Sequence, residues 1–380
     1  MARKELLNKM RIKCKKNVLQ SGINIVSKAV SNKTTKPILE CILLEAKNGK
    51  LKLTANNLNL GIETIIDCTI IEEGVIALSA KLFSDIIRKL QDSEIDIEVG
   101  SDYKTSIVCE KSRFNIPCWS GDDFPELFSV NKDKSVVISQ LGLKDIIRQT
   151  IFSVSDNENA KLMNGELFEV KDNKLSVVSL DGHRISMRNV LLKGDNSDVK
   201  AVVPGKTLQE VSKIINGDAE DTVTLYFSDR NLSFEFDNTR VVSRLIEGEY
   251  FKIAHMLSMD TSLMVKANRS ELIGCIDRAS LLIQETDKKP IIVSVKNDNN
   301  LYIKLDTNMG SIKEEMEIEK EGNEIVIGFN PSFIMDALRV IDDDKVNIYM
   351  NDSKSPCIIK DNDNTFTYII LPININPDAY

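Results

Sequence analysis

Residues 176–190, SVVSLDGHRISMRNV, hold one of only two histidines in the chain, set between an acid and a base in Asp181-Gly182-His183-Arg184. An aspartate beside a histidine can orient an imidazole as a general base, and a nearby hydroxyl or thiol would complete hydrolytic chemistry. A hydrolase using Asp181 and His183 is therefore the reading that catalysis offers. Against it, the sequence has no G-x-S-x-G, and neither His183 nor His255 sits in a nucleophile motif. Asp-Gly is also what a tight hairpin asks for, because both residues tolerate the positive φ of such turns. On composition alone the turn is favoured.

Other candidate chemistry fares no better. Gly205-Lys206-Thr207 in VVPGKTL matches the tail of a phosphate loop but lacks its first glycine and puts proline where backbone amides should cradle phosphate. The acidic run KEEMEIEKEGNE alternates like the wet face of strands or a hairpin, not like a metal site. Seven cysteines (Cys14, Cys41, Cys68, Cys109, Cys118, Cys275 and Cys357) are odd in number, scattered and without a C-x-x-C pair. They predict neither a disulfide framework nor zinc, but reduced side chains filling strand and helix positions. The expectation is no cofactor, no metal and no catalytic residue.

The elements around these residues repeat. Leu51 in GKLKLTANNLNLGIETII, Leu175 in NKLSVVSLDGHRISMRNV and Leu301 in NNLYIKLDTNMGSIKEEM lie about 125 residues apart, each after a turn-like Asn, Asp or Gly cluster and within an alternating, strand-like stretch. Downstream of each, a short apolar strand runs into an amphipathic helix: IALSAKLFSDIIRKL, AVVPGKTLQEVSKII and IVIGFNPSFIMDALRVI. Leu82, Phe83, Ile86, Ile87 and Leu90 recur at helical spacing in the first, as do Leu208, Val211 and Ile215 in the second. Further strands follow, and NVLQSGINIVSKAV, LGLKDIIRQTIFSV and RSELIGCIDRASLL place an opening helix in each copy. The chain thus reads as an α+β protein of three repeated domains, each with two helices packed on antiparallel sheets, at 10–130, 135–256 and 262–380. Polar linkers fall near 128–135 and 255–262.

Composition narrows the partners. With 42% apolar and 28% charged residues and no apolar run long enough to span a bilayer, the expectation is a cytoplasmic protein without a membrane role. The N-terminus MARKELLNKM lacks the apolar core of a secretory signal. A net charge of −8 opposes a nucleic-acid partner, and 6% aromatic content leaves little for base stacking. The distribution argues otherwise. Lys81 and Arg88 on one helix recur as Lys206 and Lys213 on its equivalent, and Lys144, Arg148, Arg269 and Arg278 add charge to the opening helices.

Several segments, in order and at matching spacing, are similar to one family. They are TTKPILECILLE, DDFPELF at 122–128, MNGELFE at 163–169, LDGHRIS at 180–186, VVPGKTL at 202–208, SRLIEGEY at 243–250, GFNPSFIMDAL at 328–338 and YIILP at 368–372. Over about residues 10–375 the chain resembles the bacterial sliding clamp, the beta subunit of DNA polymerase III; the family usually begins at the place of Met10, so the resemblance implies that residues 1–9 are an N-terminal extension or mark an earlier start codon. The resemblance implies two chains closed head to tail into a homodimeric ring, with basic helices facing duplex DNA and contacting phosphates without base readout. Lys33, Lys81, Arg88, Lys144, Arg148, Lys206, Lys213, Arg269 and Arg278 would be the DNA-binding residues. Phe114 and Ile116 of one chain would meet Leu281 and Leu282 of the other at the dimer interface. The function implied is a non-catalytic processivity factor that tethers the polymerase alpha subunit, the clamp loader, and proteins such as repair polymerases, ligase and mismatch repair proteins. A divergent clamp with an altered partner set is the alternative.

The family's peptide-binding groove would be walled here by Met163, Leu180, Gly182, His183, Arg184, Ile185, Phe251, His255, Met256, Ile369, Ile370, Leu371, Pro372 and Ile373. Three positions depart from the family pattern. Phe251 stands where a proline is usual, His255 where some members have arginine, and the tail PININPDAY replaces an ending of proline, an apolar residue and arginine.

Overall fold

The computed structural model describes residues 9–31, 34–100, 103–257, 261–284 and 289–375. One pattern of helices and strands runs three times. The first copy is β1 (Met10–Lys15), α1 (Lys16–Val26), β2 (Cys41–Lys47), β3 (Lys50–Asn56), β4 (Leu60–Asp67), β5 (Thr69–Glu72), β6 (Gly74–Ser79), α2 (Ala80–Lys89), β7 (Glu94–Val99), β8 (Lys104–Cys109), β9 (Ser112–Pro117) and the short β10 (Trp119–Ser120). The second is β11 (Lys134–Ser139), α3 (Gln140–Thr150), β12 (Gly165–Lys171), β13 (Lys174–Leu180), β14 (Arg184–Leu191), β15 (Val199–Pro204), α4 (Gly205–Ile214), β16 (Thr222–Phe227), β17 (Asn231–Phe236) and β18 (Thr239–Arg244). After a short helix, α5 (Ala254–Leu257), the third is β19 (Leu263–Asn268), α6 (Arg269–Ser280), β20 (Ile291–Val295), β21 (Asn300–Thr307), β22 (Gly310–Gly322), β23 (Ile325–Phe329), α7 (Pro331–Val340), β24 (Lys345–Met350), β25 (Cys357–Lys360) and β26 (Phe366–Ile370). The linker expected at 255–262 thus opens inside a helix.

The chain forms two compact units, one of residues 1–141 and 213–245, the other of 142–212 and 246–380. In the first unit a five-stranded sheet runs β5-β1-β7-β8-β9 and a nine-stranded sheet runs β10-β6-β2-β3-β4-β18-β17-β16-β11. The second unit holds one twelve-stranded sheet, β15-β12-β13-β14-β26-β25-β24-β19-β22-β21-β20-β23. The strand pairs within these sheets are antiparallel.

The helices form where the apolar period changes from two to about 3.6. On α2, Phe83, Ile86 and Ile87 are buried while Lys81 and Arg88 are exposed. Leu82, counted with the apolar stripe in the sequence, is 42% exposed on the flank of that helix. Asn268 caps α6 by accepting the Glu271 N–H at 3.0 Å, and Asn330 caps α7 by accepting the Ser332 N–H at 3.1 Å ahead of Pro331. Each cap satisfies a helix-end donor that would otherwise go unbonded, so these two helix starts are written locally. In the second unit the main core gathers residues of the third copy, among them Val265, Ile276, Ile327, Phe329, Leu338, Tyr368 and Ile370. A smaller cluster, with Leu167, Val178, Leu180, Ile185, Tyr250 and Ile369, lies under the candidate site.

Candidate functional site

Asp181-Gly182-His183 is the tip of the β13–β14 hairpin, whose last pair is Leu180 opposite Ile185. Gly182 has φ +91°, a conformation that a side chain would strain. Asp181 ties the turn by accepting the His183 N–H at 2.9 Å and the Arg184 N–H at 3.1 Å on one oxygen, and Arg184 Nε at 2.8 Å on the other. The carboxylate that a triad would spend on the imidazole is thus committed to Arg184. The His183 ring instead stacks on Phe333, with centroids 6.3 Å apart, and its carbonyl accepts the Leu371 N–H at 2.9 Å.

Arg184 is held on every side. Its guanidinium also donates to Asp336 and to the Phe152 carbonyl, and lies over the Phe333 ring at 4.4 Å. Only 11% of its side chain is exposed. Arg184 is thus an internal brace between the hairpin and α7, its charge met by two carboxylates.

Beside this tip lies an apolar cavity of about 270 Å³. Of the predicted wall, Met163, Leu180, Gly182, His183, Arg184, Ile185, Phe251, Met256, Ile369 and Leu371 line it. Ile370 does not: strand alternation turns it the other way, fully buried in the main core of the unit. His255 is exposed on α5 outside the lining, and Pro372 and Ile373 line an adjoining trough of about 890 Å³. The two depressions share His183 and Leu371 as a common wall. Lys252 and Ile253 also line the cavity and were not predicted. They follow Phe251 in a loop without strand or helix periodicity, so nothing in the pattern marked them. Phe251 is 43% exposed and packs edge-on against Tyr250, whose hydroxyl donates to the Gly165 carbonyl at 3.2 Å. Burial pushes the Tyr250 phenol well above its ordinary range, so it serves as a neutral hydrogen-bond donor.

The chain matches the DNA polymerase III beta subunit throughout: its N-terminal domain at residues 10–128, its central domain at 137–252 and its C-terminal domain at 256–374. A beta sliding clamp of Staphylococcus epidermidis is 31% identical over 374 residues, spanning 96% of this chain and 99% of that protein. The chain belongs to the sliding-clamp family of DNA polymerase III beta subunits. Among solved structures, a putative DNA polymerase III beta subunit from Eubacterium rectale is 55% identical with a TM-score of 0.93, covering 97% of this chain and 100% of that one. The DNA polymerase sliding clamp of Bacillus subtilis is 30% identical with the same TM-score and coverage.

The cations predicted for this clamp divide into two groups. Lys81, Arg88, Lys144, Lys206 and Lys213 are exposed on their helices, Arg88 with Asp85 at 2.6 Å. The other three have carbonyl or carboxylate partners on the same chain. Arg269 donates to the carbonyls of Asp343 at 2.8 Å and Leu338 at 3.2 Å. Arg148 reaches the Val340 carbonyl at 3.2 Å and Asp342 at 2.8 Å, so two arginines gather on the C-terminal end of α7, where unpaired carbonyls and the helix dipole favour cations. Arg278 makes a two-point pair with Glu314 at 2.9 and 2.6 Å. Arg148 and Arg278 keep 38% and 55% of their side chains exposed beside these partners. Lys33 lies outside the described residues. Of the predicted interface residues, Leu281 is 80% exposed, Phe114 is 39% exposed and Leu282 is half-buried. Ile116 is only 6% exposed and packs inside its own sheet. Among the described residues no cluster of His, Cys, Asp and Glu is placed to hold a metal, and no helix is long and apolar enough to cross a membrane.

Proposed function

We propose that two copies of the chain close head to tail around duplex DNA, forming a ring without catalytic chemistry of its own that tethers the replicative polymerase in the cytoplasm. The proposed domains are 10–130, 135–256 and 262–380. A pair of open strand edges carries the reading. In the repeat, β4, β14 and β22 are equivalent, and so are β9, β18 and β26. β18 closes on β4, and β26 closes on β14. Residues 310–317 of β22 bond on one side to β21, and β9 bonds on one side to β8; the other edges have no partner strand among the described residues. A third seam of the same kind needs β9 from a second chain, and two such identical contacts close a ring. Exposed strand edges are otherwise a liability that proteins cover.

The test is topological. The clamp is loaded by a clamp loader onto circular duplex DNA, and half the sample is then linearised. Retention on circles with escape from linear ends is the expected result; equal retention on both would refute encirclement.

Lys81, Arg88, Lys144, Lys206 and Lys213 are the proposed phosphate contacts. Each phosphate neutralised adds roughly 0.9 to the slope of log affinity against log salt. Changing Lys81, Arg88, Lys206 and Lys213 to glutamate is expected to weaken DNA retention and flatten that slope, with melting nearly unchanged because all four are exposed. An unaltered slope in the salt titration would reject these contacts.

The apolar cavity and its adjoining trough are the proposed landing site for short peptides carrying glutamine and large apolar residues, borne by the polymerase alpha subunit, the clamp loader, repair polymerases, ligase and mismatch repair proteins. Burying one large apolar side chain contributes roughly 1.5–3 kcal/mol. Removing residues 371–380 takes away Leu371, the wall common to both depressions, so peptide binding by fluorescence anisotropy is expected to disappear while the dimer persists. Wild-type affinity in the truncated protein would place the peptide elsewhere.

A further inference from the structure

In the first unit β1 runs antiparallel to β5 with Ile12 opposite Ile70 and Lys13 opposite Thr69. The next pair in that register is Cys14 and Cys68. Their thiols cross over the ladder: Cys14 Sγ lies 3.6 Å from the Asp67 carbonyl oxygen and Cys68 Sγ lies 3.3 Å from the Lys13 carbonyl oxygen. Each thiol therefore reaches the residue just before the other cysteine. Directly opposed residues of an antiparallel pair have Cα atoms about 4.5–5.5 Å apart, within the roughly 4.4–6.8 Å that a disulfide spans.

We propose that Cys14 and Cys68 are a redox-modification site: a dithiol that a low-molecular-weight disulfide converts, reversibly, to an intramolecular cross-strand disulfide. The two sulfurs are not equivalent. Cys68 is partly exposed, whereas Cys14 is 3% exposed. Cys14 also sits two residues ahead of α1, where helix-end amides favour a thiolate. A hydrogen bond from the Cys68 thiol holds the Cys14 thiol below its ordinary range, against the opposing effect of burial, and the Leu19 N–H assists. The same shared proton, with burial, pushes Cys68 up.

The order of events follows from the difference in exposure. Cys68, the accessible sulfur, loses its proton to solvent and attacks one sulfur of the oxidant, whose S–S bond breaks and releases one thiolate. Cys14 then loses its proton and attacks Cys68 Sγ, forming the Cys14–Cys68 bond and expelling the second thiolate. Two cysteine thiols lose two electrons and two protons, and the oxidant takes them up as two thiols.

The bond would staple the root of a weakly held strand. β5 is a four-residue edge strand whose neighbour in the sheet is β1, and the pairing breaks register between Arg11 and Ile12. Oxidation is therefore expected to slow amide exchange in β5.

The test uses the full chain and glutathione disulfide. After incubation the protein is acid-quenched, denatured and alkylated, and its intact mass is read. Loss of two of the seven alkylatable thiols, with a peptide joining Cys14 to Cys68 and full recovery under dithiothreitol, is expected. Cys14→Ser should stop at a glutathione adduct on Cys68, and Cys68→Ser should keep its remaining thiols. The proposal is overturned if wild type keeps all seven thiols, if it stops at the mixed disulfide, or if either serine variant still loses two.

Discussion

A chain carrying Leu281→Asp and Leu282→Asp is expected to sediment as a folded monomer and to lose its retention on circular DNA. The argument comes from the seam already inside the second unit. There β26 closes on β14, and Phe152, in the turn that follows α3, packs against Tyr368 of β26 with ring centroids 5.8 Å apart. In the third copy, Leu281 and Leu282 occupy the turn that follows α6, and Phe114 holds on β9 the place that Tyr368 holds on β26. Leu282 Cδ2 stands 4.0 Å from where a Cβ on Gly310 would be, beside the open stretch of β22. The apolar turn and the open edge thus lie together on one chain, and the exposed Phe114 lies on the open edge proposed to meet them.

Two aspartates at this turn would each bury a carboxylate without a partner, at a cost of several kcal/mol by order of magnitude. A closed two-fold ring suffers that cost at both contacts. The free chain bears little of it, because Leu281 is 80% exposed there. Melting of the monomer and peptide binding should therefore survive. Phe114→Asp should give the same monomer from the other side. Ile116→Asp is the wrong probe, since that side chain is buried in its own sheet and the change would unfold it. A dimer that persists at micromolar concentration in the Leu281/Leu282 variant, by sedimentation or light scattering, would put the seam elsewhere.

What the sequence made legible follows the range of the interactions. The hairpin at Asp181-Gly182 and the caps at Asn268 and Asn330 are set by neighbours a few residues away, and the threefold order is written in strands about 125 residues apart. Ile370 was misassigned although the period-two rule could have corrected it, because its neighbours Ile369 and Leu371 do line the cavity and the family resemblance carried the whole run. Arg148, Arg269 and Arg278 read as free charge on helix faces. Their partners at Val340, Leu338 and Glu314 lie far off in sequence or depend on which carbonyls a helix end leaves open. Cys14 and Cys68 are 54 positions apart, and only strand register sets them opposite each other. Glu166 was invisible for another reason. β12 is buried on both faces over Gly165, Glu166, Leu167 and Phe168, so no alternation marks which side chain points where.

That glutamate is the basis of the second large expectation: Glu166→Gln should stabilise the surrounding strands at pH 9 by several kcal/mol and change little at pH 5. Glu166 is fully buried, and its described side-chain partner is the Thr150 hydroxyl at 3.0 Å. Thr150 Oγ1 also lies 2.8 Å from the Ile146 carbonyl oxygen. A carbonyl only accepts, and the hydroxyl has one proton. With that proton on Ile146, Glu166 must donate its own to Thr150, which requires the neutral acid. Burial acts in the same direction and pushes the Glu166 carboxyl up to about 8.

The sign follows from proton counts. Between the unfolded value near 4.5 and the folded value near 8, the native state holds a proton that the unfolded chain has released. The stability associated with neutral Glu166 is thus fully present below about pH 4.5 and lost as pH rises through about 8, at up to about 1.4 kcal/mol per pH unit. Glutamine keeps the shape, donates to Thr150 and does not titrate, so the difference between the two proteins should widen steadily from pH 5 to pH 8 and then level off. Hydrogen exchange of the β12 and β13 amides, compared between wild type and Glu166→Gln at each pH, measures this directly because the intrinsic chemistry of exchange cancels. Parallel protection profiles across that range would mean that Glu166 is ionised in the folded chain, and the hydrogen-bond assignment around Thr150 would have to be reversed.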